Sequence, residues 1–553
     1  MLLWGVLAVW GLFALTLGAI HWVIVPRIDE ARPALERWVG KSIGVPLKVG
    51  AIAANAESRN GSGMGAYLPS VVPSFRLLDV RLYDPAGREA LHLPRVDVAI
   101  SVRSLWRLGF EQLAIEAPTL DVRRTANNRI EIAGLDFSGP SNNDNSAANW
   151  FFSQTEFLIR KGTVRWTDDL RGQPALALSD VSLLVRNRRL SHEFRIDATP
   201  PAEWGERASL RGRLTEPLLD LSAVVGQGGV PWRNWSGELY ADFAKVDVSR
   251  LQSQVDLAAL GMALHSGQGA LRAWADVKDG QLVRVTADLA LSKVLARLGP
   301  ALPELAIDDL SGRVTGQLNG AGFEVASDNL QFRTGEGLAW PASAVRLQHQ
   351  PAKGAQPAST VLNVERLELA TLAALATRLP LPDPGRALLL KLKPVGRLEN
   401  FKTDWQGAPP ASDGSAPANA LAAAWQPHRY RAAGRLVGLN LAGEPRAQAP
   451  GEFILPGRPG VRGAQVDFDL NQDGGHATLA IQRGAIDLPG VFEEPLVSLD
   501  SLATEVRWRI DGERVDAWLE KLTLANADTE GRVSAHWHTS DPATSASKSR
   551  FPG

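Results

Sequence analysis

The chain has 553 residues, 59 basic and 60 acidic side chains, a formal net charge of -1 and no cysteine. The charge balance argues against nucleic acid as the main partner, because such proteins carry a basic footprint. The missing cysteines exclude disulfides, thiolate metal sites and cysteine nucleophiles, and they suit an oxidising envelope compartment. At this length two or more units, or one elongated repeat, are expected in place of a single core.

Residues 2–25, LLWGVLAVWGLFALTLGAIHWVIV, contain no Asp, Glu, Lys or Arg. At helical rise they reach roughly 36 Å, enough to cross a hydrocarbon core of about 30 Å. A cleaved signal peptide fits less well: the apolar run is long, no small-x-small site follows, and no basic residues precede it. Residues 1–25 therefore read as a transmembrane anchor. Arg27, Arg32, Arg37, Lys41 and Lys48 follow the span. Taken literally, that charge bias places the body in the cytoplasm, although large domains translocate largely regardless of charge.

Asp29–Lys41 reads as a short amphipathic helix, with Ala34, Leu35, Trp38 and Val39 at helical spacing. After Gly44-Val45-Pro46 the period becomes 2. Val80 and Leu82 alternate with Asp79 and Arg81. Val96, Val98, Ile100 and Val102 alternate with Arg95, Asp97, Ala99 and Ser101. Leu120 and Val122 alternate with Asp121 and Arg123, and Phe194 and Ile196 with Glu193, Arg195 and Asp197. Such alternation predicts strands with one apolar and one wet face. Turn residues separate them, as in Asp84-Pro85-Ala86-Gly87 and Asn471-Gln472-Asp473-Gly474-Gly475.

The same texture predicts strands at 159–168, 176–187, 209–215, 236–244, 269–277, 281–291, 311–318, 361–369, 429–441, 464–481 and 505–524. Helices are expected at 146–157, 248–259, 291–298 and 370–378. Residues 141–148 and 407–422 read as loop or linker, and 539–553 as a disordered tail or truncated end. The domain reading is an anchor (1–25), a first β-segment (26–140), a continued one (141–406), the linker (407–422), a further β-segment (423–538) and the tail (539–553). No sequence repeat of fixed length stands out. On the residues alone, the apolar strand faces are explained by burial against a second sheet or helix.

Catalytic chemistry is not evident. Gly61-Ser62-Gly63-Met64-Gly65 lacks phosphate-loop spacing. His536-x-His538 puts two imidazoles on one strand face, but no third ligand is apparent and the pair reads as incidental. Asp168-Asp169 reads as a turn or solvated pair, because neighbouring strand residues point to opposite faces. Trp166, Trp274, Trp340 and Trp508 read as core or sheet-edge packing. The expectation is no enzyme, no metal and no cofactor.

Several ordered stretches resemble AsmA-like envelope proteins, most closely the YhdP-type members of that family. They are the anchor, then Val45-Pro46-Leu47-Lys48-Val49-Gly50-Ala51-Ile52, Phe75-Arg76-Leu77-Leu78-Asp79-Val80-Arg81-Leu82, residues 93–104, and Leu113 to Arg124. The resemblance continues in Asn149-Trp150-Phe151-Phe152-Ser153-Gln154, Gly162-Thr163-Val164-Arg165-Trp166-Thr167-Asp168, and Trp235-Ser236-Gly237-Glu238-Leu239-Tyr240. It returns in Val506-Arg507-Trp508 with Asn526-Ala527-Asp528-Thr529-Glu530-Gly531.

The resemblance implies an inner-membrane anchor, a periplasmic body and a chain that is the N-terminal portion of a longer protein. It implies a mainly β fold: one transmembrane helix, then an elongated, twisted antiparallel β-groove with few short helices. The groove would carry phospholipid acyl chains between the inner and outer membranes. At a strand spacing of about 4.8 Å, roughly 25–30 strands would span on the order of 120–145 Å. Its candidate lining is Val80, Leu82, Val96, Val98, Ile100, Val102, Leu120, Val122, Phe194 and Ile196. The alternative is an envelope scaffold that binds outer-membrane proteins by strand addition.

Overall fold

The computed structural model describes Gly11 and residues 32–43, 46–55, 74–83, 87–100, 109–133, 135–136, 154–188, 190–217, 234–251, 263–354, 356–407, 428–446 and 456–539. The chain divides into two compact units, Met1–Val255 with Gly269–Val285, and Asp256–Gln268 with Thr286–Gly553. Both are mainly β.

In the first unit the described elements are helix α1 (Arg32–Ile43), then β1 (Leu47–Asn55), β2 (Ser74–Tyr83), β3 (Glu89–Ala99), β4 (Gln112–Glu116) and β5 (Thr119–Arg124). Next come β6 (Ile130–Ile132), β7 (Leu135–Asp136), β8 (Glu156–Asp168), β9 (Gln173–Arg188), β10 (Ser191–Thr199), β11 (Ala208–Thr215), β12 (Ser236–Asp247) and the single turn α2 (Val248–Leu251). β13 (Ala263–Lys278) and β14 (Gln281–Arg297) follow.

The second unit continues through β15 (Leu305–Asn319), β16 (Gly322–Thr334), β17 (Ala339–Gln350), β18 (Ser359–Glu368), α3 (Leu369–Leu375), α4 (Asp383–Leu392) and β19 (Val395–Gln406). It ends with β20 (Arg429–Leu441), β21 (Gly460–Asn471), β22 (Gly474–Asp487), β23 (Leu496–Asp511), β24 (Arg514–Ala525) and β25 (Glu530–His538). From β15 to β25 each strand pairs antiparallel with the next.

One departure from the antiparallel expectation lies in the first unit. β4 and β5 form one run kinked at Ala117-Pro118, and both pair parallel with β8. Ala117 donates its N–H to the Arg160 carbonyl at 2.8 Å, and Thr163 donates to the Pro118 carbonyl at 2.8 Å. A parallel pair needs a long crossover. The chain supplies it between Arg124 and Glu156, and the small β6–β7 hairpin lies within it.

A local motif recurs through both units. Among the described residues, ten strands carry one residue near φ +50° to +75° in mid-strand: Asp79, Lys161, Asp180, Lys293, Asn329, Asn400, Gly438, Gly463, Arg483 and Lys521. In each case the residue before it by two and the residue after it by one share a sheet face. Examples are Leu77 and Val80, Ile159 and Gly162, Leu436 and Leu439, Leu519 and Leu522. The extra residue is a bulge that resets side-chain parity, bends the strand and raises its twist. The flanking side chains are among the most buried: Leu77 at 6%, Val80 at 4%, Ile159 at 4%, Val181 at 4%, Val294 at 4% and Ile481 at 1% exposure.

This motif explains a difference from the expected elements. Residues 291–298, a helix in the sequence reading, do place Leu291, Val294, Leu295 and Leu298 at i, i+3, i+4, i+7 spacing. They belong to β14 through Arg297, with the parity step at Lys293. Helix 370–378 is found as α3, and 248–259 begins with the single turn α2. Residues 154–155 of the expected helix 146–157 form a bend, and Glu156 starts β8. β4, β6, β7, β16, β17, β19, β25 and α4 lie outside the expected strands and helices. Apart from Gly11, the expected anchor lies outside the described residues, as do 141–148, 408–422 and the tail from 540. Among the described residues no helix is long and apolar enough to cross a membrane.

The bulge residue should tolerate glycine and resist β-branching, since left-handed backbone costs a non-glycine residue about 1–3 kcal/mol. Lys161→Val should lower the urea midpoint of the first unit by an amount corresponding to about 1–3 kcal/mol. Lys161→Gly should leave it unchanged or raise it. Equal destabilisation by both would mean that packing, not backbone conformation, sets the site.

Candidate functional site

Registers in the first unit align apolar side chains into rows. One runs Phe75–Val98–Leu113–Phe157–Val185–Phe194–Gly212–Leu239 across eight strands, β2 to β4 and then β8 to β12. Beside it runs Ile52–Leu77–Val96–Ile115–Ile159–Leu183–Ile196–Leu210–Ala241. Val80 and Leu82 join the same face through Leu93 and Leu91, and Leu120 and Val122 through Val164 and Trp166. Neither row contains a charge.

Burial changes along these rows. Phe75, Val98, Leu113, Phe157 and Val185 are buried, whereas Phe194, Gly212 and Leu239 are only half-buried. In the second row Val96 is 3% exposed and Leu210 37%. Helix α1 accounts for much of the closed end. Val39 is buried in this cluster, Leu35 and Trp38 pack on it, and Trp38 meets Phe110 edge-on at 5.6 Å. Glu36 accepts the Val49 N–H at 2.8 Å and docks the helix on β1.

The expected lining residues divide accordingly. Val80, Leu82, Val96 and Val98 are fully buried. Ile100, Leu120 and Phe194 pack partly against that cluster. Val122 and Ile196 are half-buried, and Val102 lies outside the described residues. Gly212 makes room for its neighbours: a Cβ there would meet the Phe194 ring and a Leu239 methyl, and both side chains would have to shift. Its absence lets the ring lie over the backbone.

The second unit repeats the arrangement at larger scale. Gly316–Val325–Leu347–Leu362–Thr403–Ala432–Leu470–Gly475–Trp508–Ala517–Trp537 forms one row across eleven strands, β15 to β25. No member is charged, and ten strand steps of about 4.8 Å amount to about 48 Å. Its members are half-buried apart from Val325 and Trp537, which are exposed. A deeper row, Leu439–Ala464–Ile481–Leu502–Leu524–Gly531, lies beside the parity steps. Ala464 is 0%, Ile481 1% and Leu502 4% exposed.

The opposite faces are wet. In the first unit Glu156–Arg186–Glu193–Arg213–Glu238 alternate in sign across adjacent strands. Arg186 meets Glu156 at 3.0 Å and Arg213 meets Glu193 at 2.8 Å. In the second unit Arg435 meets Asp467 at 2.7 Å and Arg507 meets Glu520 at 2.8 Å. Arg431 hydrogen-bonds Asp469 and holds its carboxyl below the usual range. Exposed pairs of this kind are each worth about 0–1 kcal/mol, so they fix register and partner choice more than stability. An open concavity of about 680 Å³ lies on this charged side, where Trp274, 38% exposed, leans on Tyr240 at 5.5 Å.

Polar ladders rim the apolar face. Gln154 is 0% exposed and accepts the Phe110 N–H at 2.7 Å. Its carbonyl accepts from Asn187 at 2.8 Å. His192 joins Asn187 at 2.8 Å and Glu216 at 2.9 Å and stacks on Trp235 at 3.8 Å. Burial holds His192 below the ordinary imidazole range, against the pull of the Glu216 carboxylate. In the second unit His349 bonds Thr360 at 2.9 Å, and burial lowers it likewise.

Two expectations are revised here. Asp168 is not solvated: it is 2% exposed, pairs with Arg124 at 3.4 Å and accepts the Arg171 N–H at 3.2 Å. His536 and His538 do have an acidic neighbour, Asp516. Trp340 stacks on Phe332 at 5.4 Å, as expected of a packing residue.

These features define a mainly β protein whose sheets carry charge-free cross-strand rows opposite an ion-paired face. The chain belongs to the YhdP family, whose model, described as YhdP protein, matches residues 1–546. No curated protein and no solved structure matches it.

A charge on the enclosed row should be far costlier than one on the open row. Val98→Asp buries an unpaired carboxylate and should cost several kcal/mol or abolish folding. Leu210→Asp should fold, with a loss of about 1 kcal/mol. Thermal melting and soluble yield read the contrast.

His192 gives a pH signature. Its folded pKa lies below its unfolded value near 6.5, so the unfolded state binds the extra proton first. Stability of the first unit should fall as pH drops below about 6.5, and His192→Gln should flatten that slope in urea titrations.

Proposed function

We propose that the protein conducts phospholipid between the inner and outer membranes of a bacterial envelope, helping to maintain the outer-membrane permeability barrier. Residues 2–25 anchor it in the inner membrane and the body lies in the periplasm. The observation that carries this reading is the set of charge-free cross-strand rows whose side chains stay half-exposed. Exposing an acyl chain to water costs about 0.8 kcal/mol per CH₂, and a continuous oily surface removes most of that cost along a route. Interchangeable Leu, Val, Ile, Ala and Phe provide no specific grip, which suits a ligand that must slide. In this reading the bulges bend each strand so that its apolar face becomes the inside of a groove. The chain acts as a conduit, without catalytic residues or cofactor. Its partners are acyl chains, the inner membrane and other envelope proteins.

Photo-crosslinking in intact cells tests it. A crosslinker at Leu347 or Leu479 should capture phospholipid, identified by mass spectrometry. One at the adjoining wet-face positions Gln348 or Thr478 should not. Absence of lipid at all four positions would overturn the reading. Capture of outer-membrane barrel precursors along β25 in its place would establish strand addition.

A further inference from the structure

We propose that Asp516, His536 and His538 form a surface site for one divalent first-row transition ion, with Zn²⁺ as the reference ion. The three donor atoms come from two paired strands on the charged face. His536 and His538 are two apart on β25, so their rings share that face. Asp516 lies directly opposite His538 on β24, and Trp518 opposite His536. All three donor atoms lie within 4.8 Å of one another.

The spacing fits a bridging metal as well as a loose ion pair. The His536 Nε2 to Asp516 Oδ1 separation is 3.5 Å. A charge-assisted hydrogen bond would close to about 2.7–2.9 Å. Two donors on a tetrahedral zinc, with bonds of 2.0–2.1 Å, stand about 3.3 Å apart. The His536 ring is held flat on Trp518, with centroids 5.0 Å apart and planes 6° apart. Its ring and that of His538 are 5.8 Å apart, so a modest rotation of His538 brings in the third donor. Arg514 holds both carboxylate oxygens, Oδ2 at 3.0 Å and Oδ1 at 3.2 Å, which fixes the carboxylate and leaves Oδ1 a second lone pair with which to bind an ion through that single oxygen. Two imidazoles and a carboxylate favour zinc, copper or nickel over magnesium or calcium. Three protein donors leave a fourth position for water or for a side chain of another protein.

The test uses the full chain in detergent, stripped with chelator and titrated with Zn²⁺ alone by calorimetry. One saturable zinc per chain is expected, with no binding of Mg²⁺ under the same conditions. Co²⁺ should give the visible absorption of a four-coordinate site. His536→Gln and Asp516→Asn should each weaken zinc binding more than about tenfold. His476→Gln, a histidine on the same wet face outside the cluster, should leave it unchanged. Circular dichroism of the metal-free variants controls for folding, since these side chains are exposed or half-exposed on β24 and β25. Lack of saturable zinc binding, or undiminished binding by folded His536→Gln and Asp516→Asn variants, would overturn the proposal.

Discussion

The structure depends on keeping two faces of a sheet chemically separate along strands as long as 17 residues. Side-chain direction alternates at every residue, so one uncorrected slip turns the remainder of a strand inside out. The left-handed residue near mid-strand manages that risk. It absorbs one extra residue, and the apolar set reappears on the same side. Polar residues and glycine fill these positions, and no β-branched residue does. Such residues meet the backbone demand at lower strain than valine or isoleucine. Placing the step beside the most buried row also lets packing offset the local strain.

The two faces contribute unequally to stability. Full burial of a large aliphatic side chain stabilises by about 1.5–3 kcal/mol, and a half-exposed one contributes correspondingly less. The enclosed end of the first unit, capped by α1, therefore holds more hydrophobic free energy per residue than Phe194, Leu210 or Leu239. Backbone ladders and exposed ion pairs hold the open rows in register. The buried Gln154, Asn187 and His192 sit where the oily rows stop. Their satisfied hydrogen bonds give the face a defined border, since an unpaired buried polar group there would cost about 1–3 kcal/mol.

Much of the fold is legible in the sequence because the period-2 signal is strong. Val96, Val98, Phe194 and Ile196 were identified as apolar-face residues, and the registers put them on two neighbouring rows. What the sequence concealed has a common physical cause. The parity step produces an i, i+3 spacing that belongs to neither a plain strand nor a helix. In β14 that spacing imitates a helix outright. It also hides the repetition: Leu77-Leu78-Asp79-Val80, Leu178-Ser179-Asp180-Val181 and Leu291-Ser292-Lys293-Val294 share a pattern with no fixed distance between copies. Burial was not readable at all. Val98 and Ile196 carry the same alternation, yet α1 closes over the neighbourhood of one and leaves the other half-open. The position of Asp516 beside the histidine pair needed the pairing of β24 with β25, which depends on a parity shift between Leu519 and Leu522.

The mid-strand step also separates shape from chemistry. Removing the left-handed residue from Leu436-Val437-Gly438-Leu439 would leave an unbroken alternation, with Leu436 and Leu439 still on one side and Val437 on the other. What would vanish is the local bend. In the strands that have the step, the bend is thus carried by a single position, while the lining is carried by the others. Depth and width of such a surface can drift by the gain or loss of one residue at a time, with its solvent properties held constant.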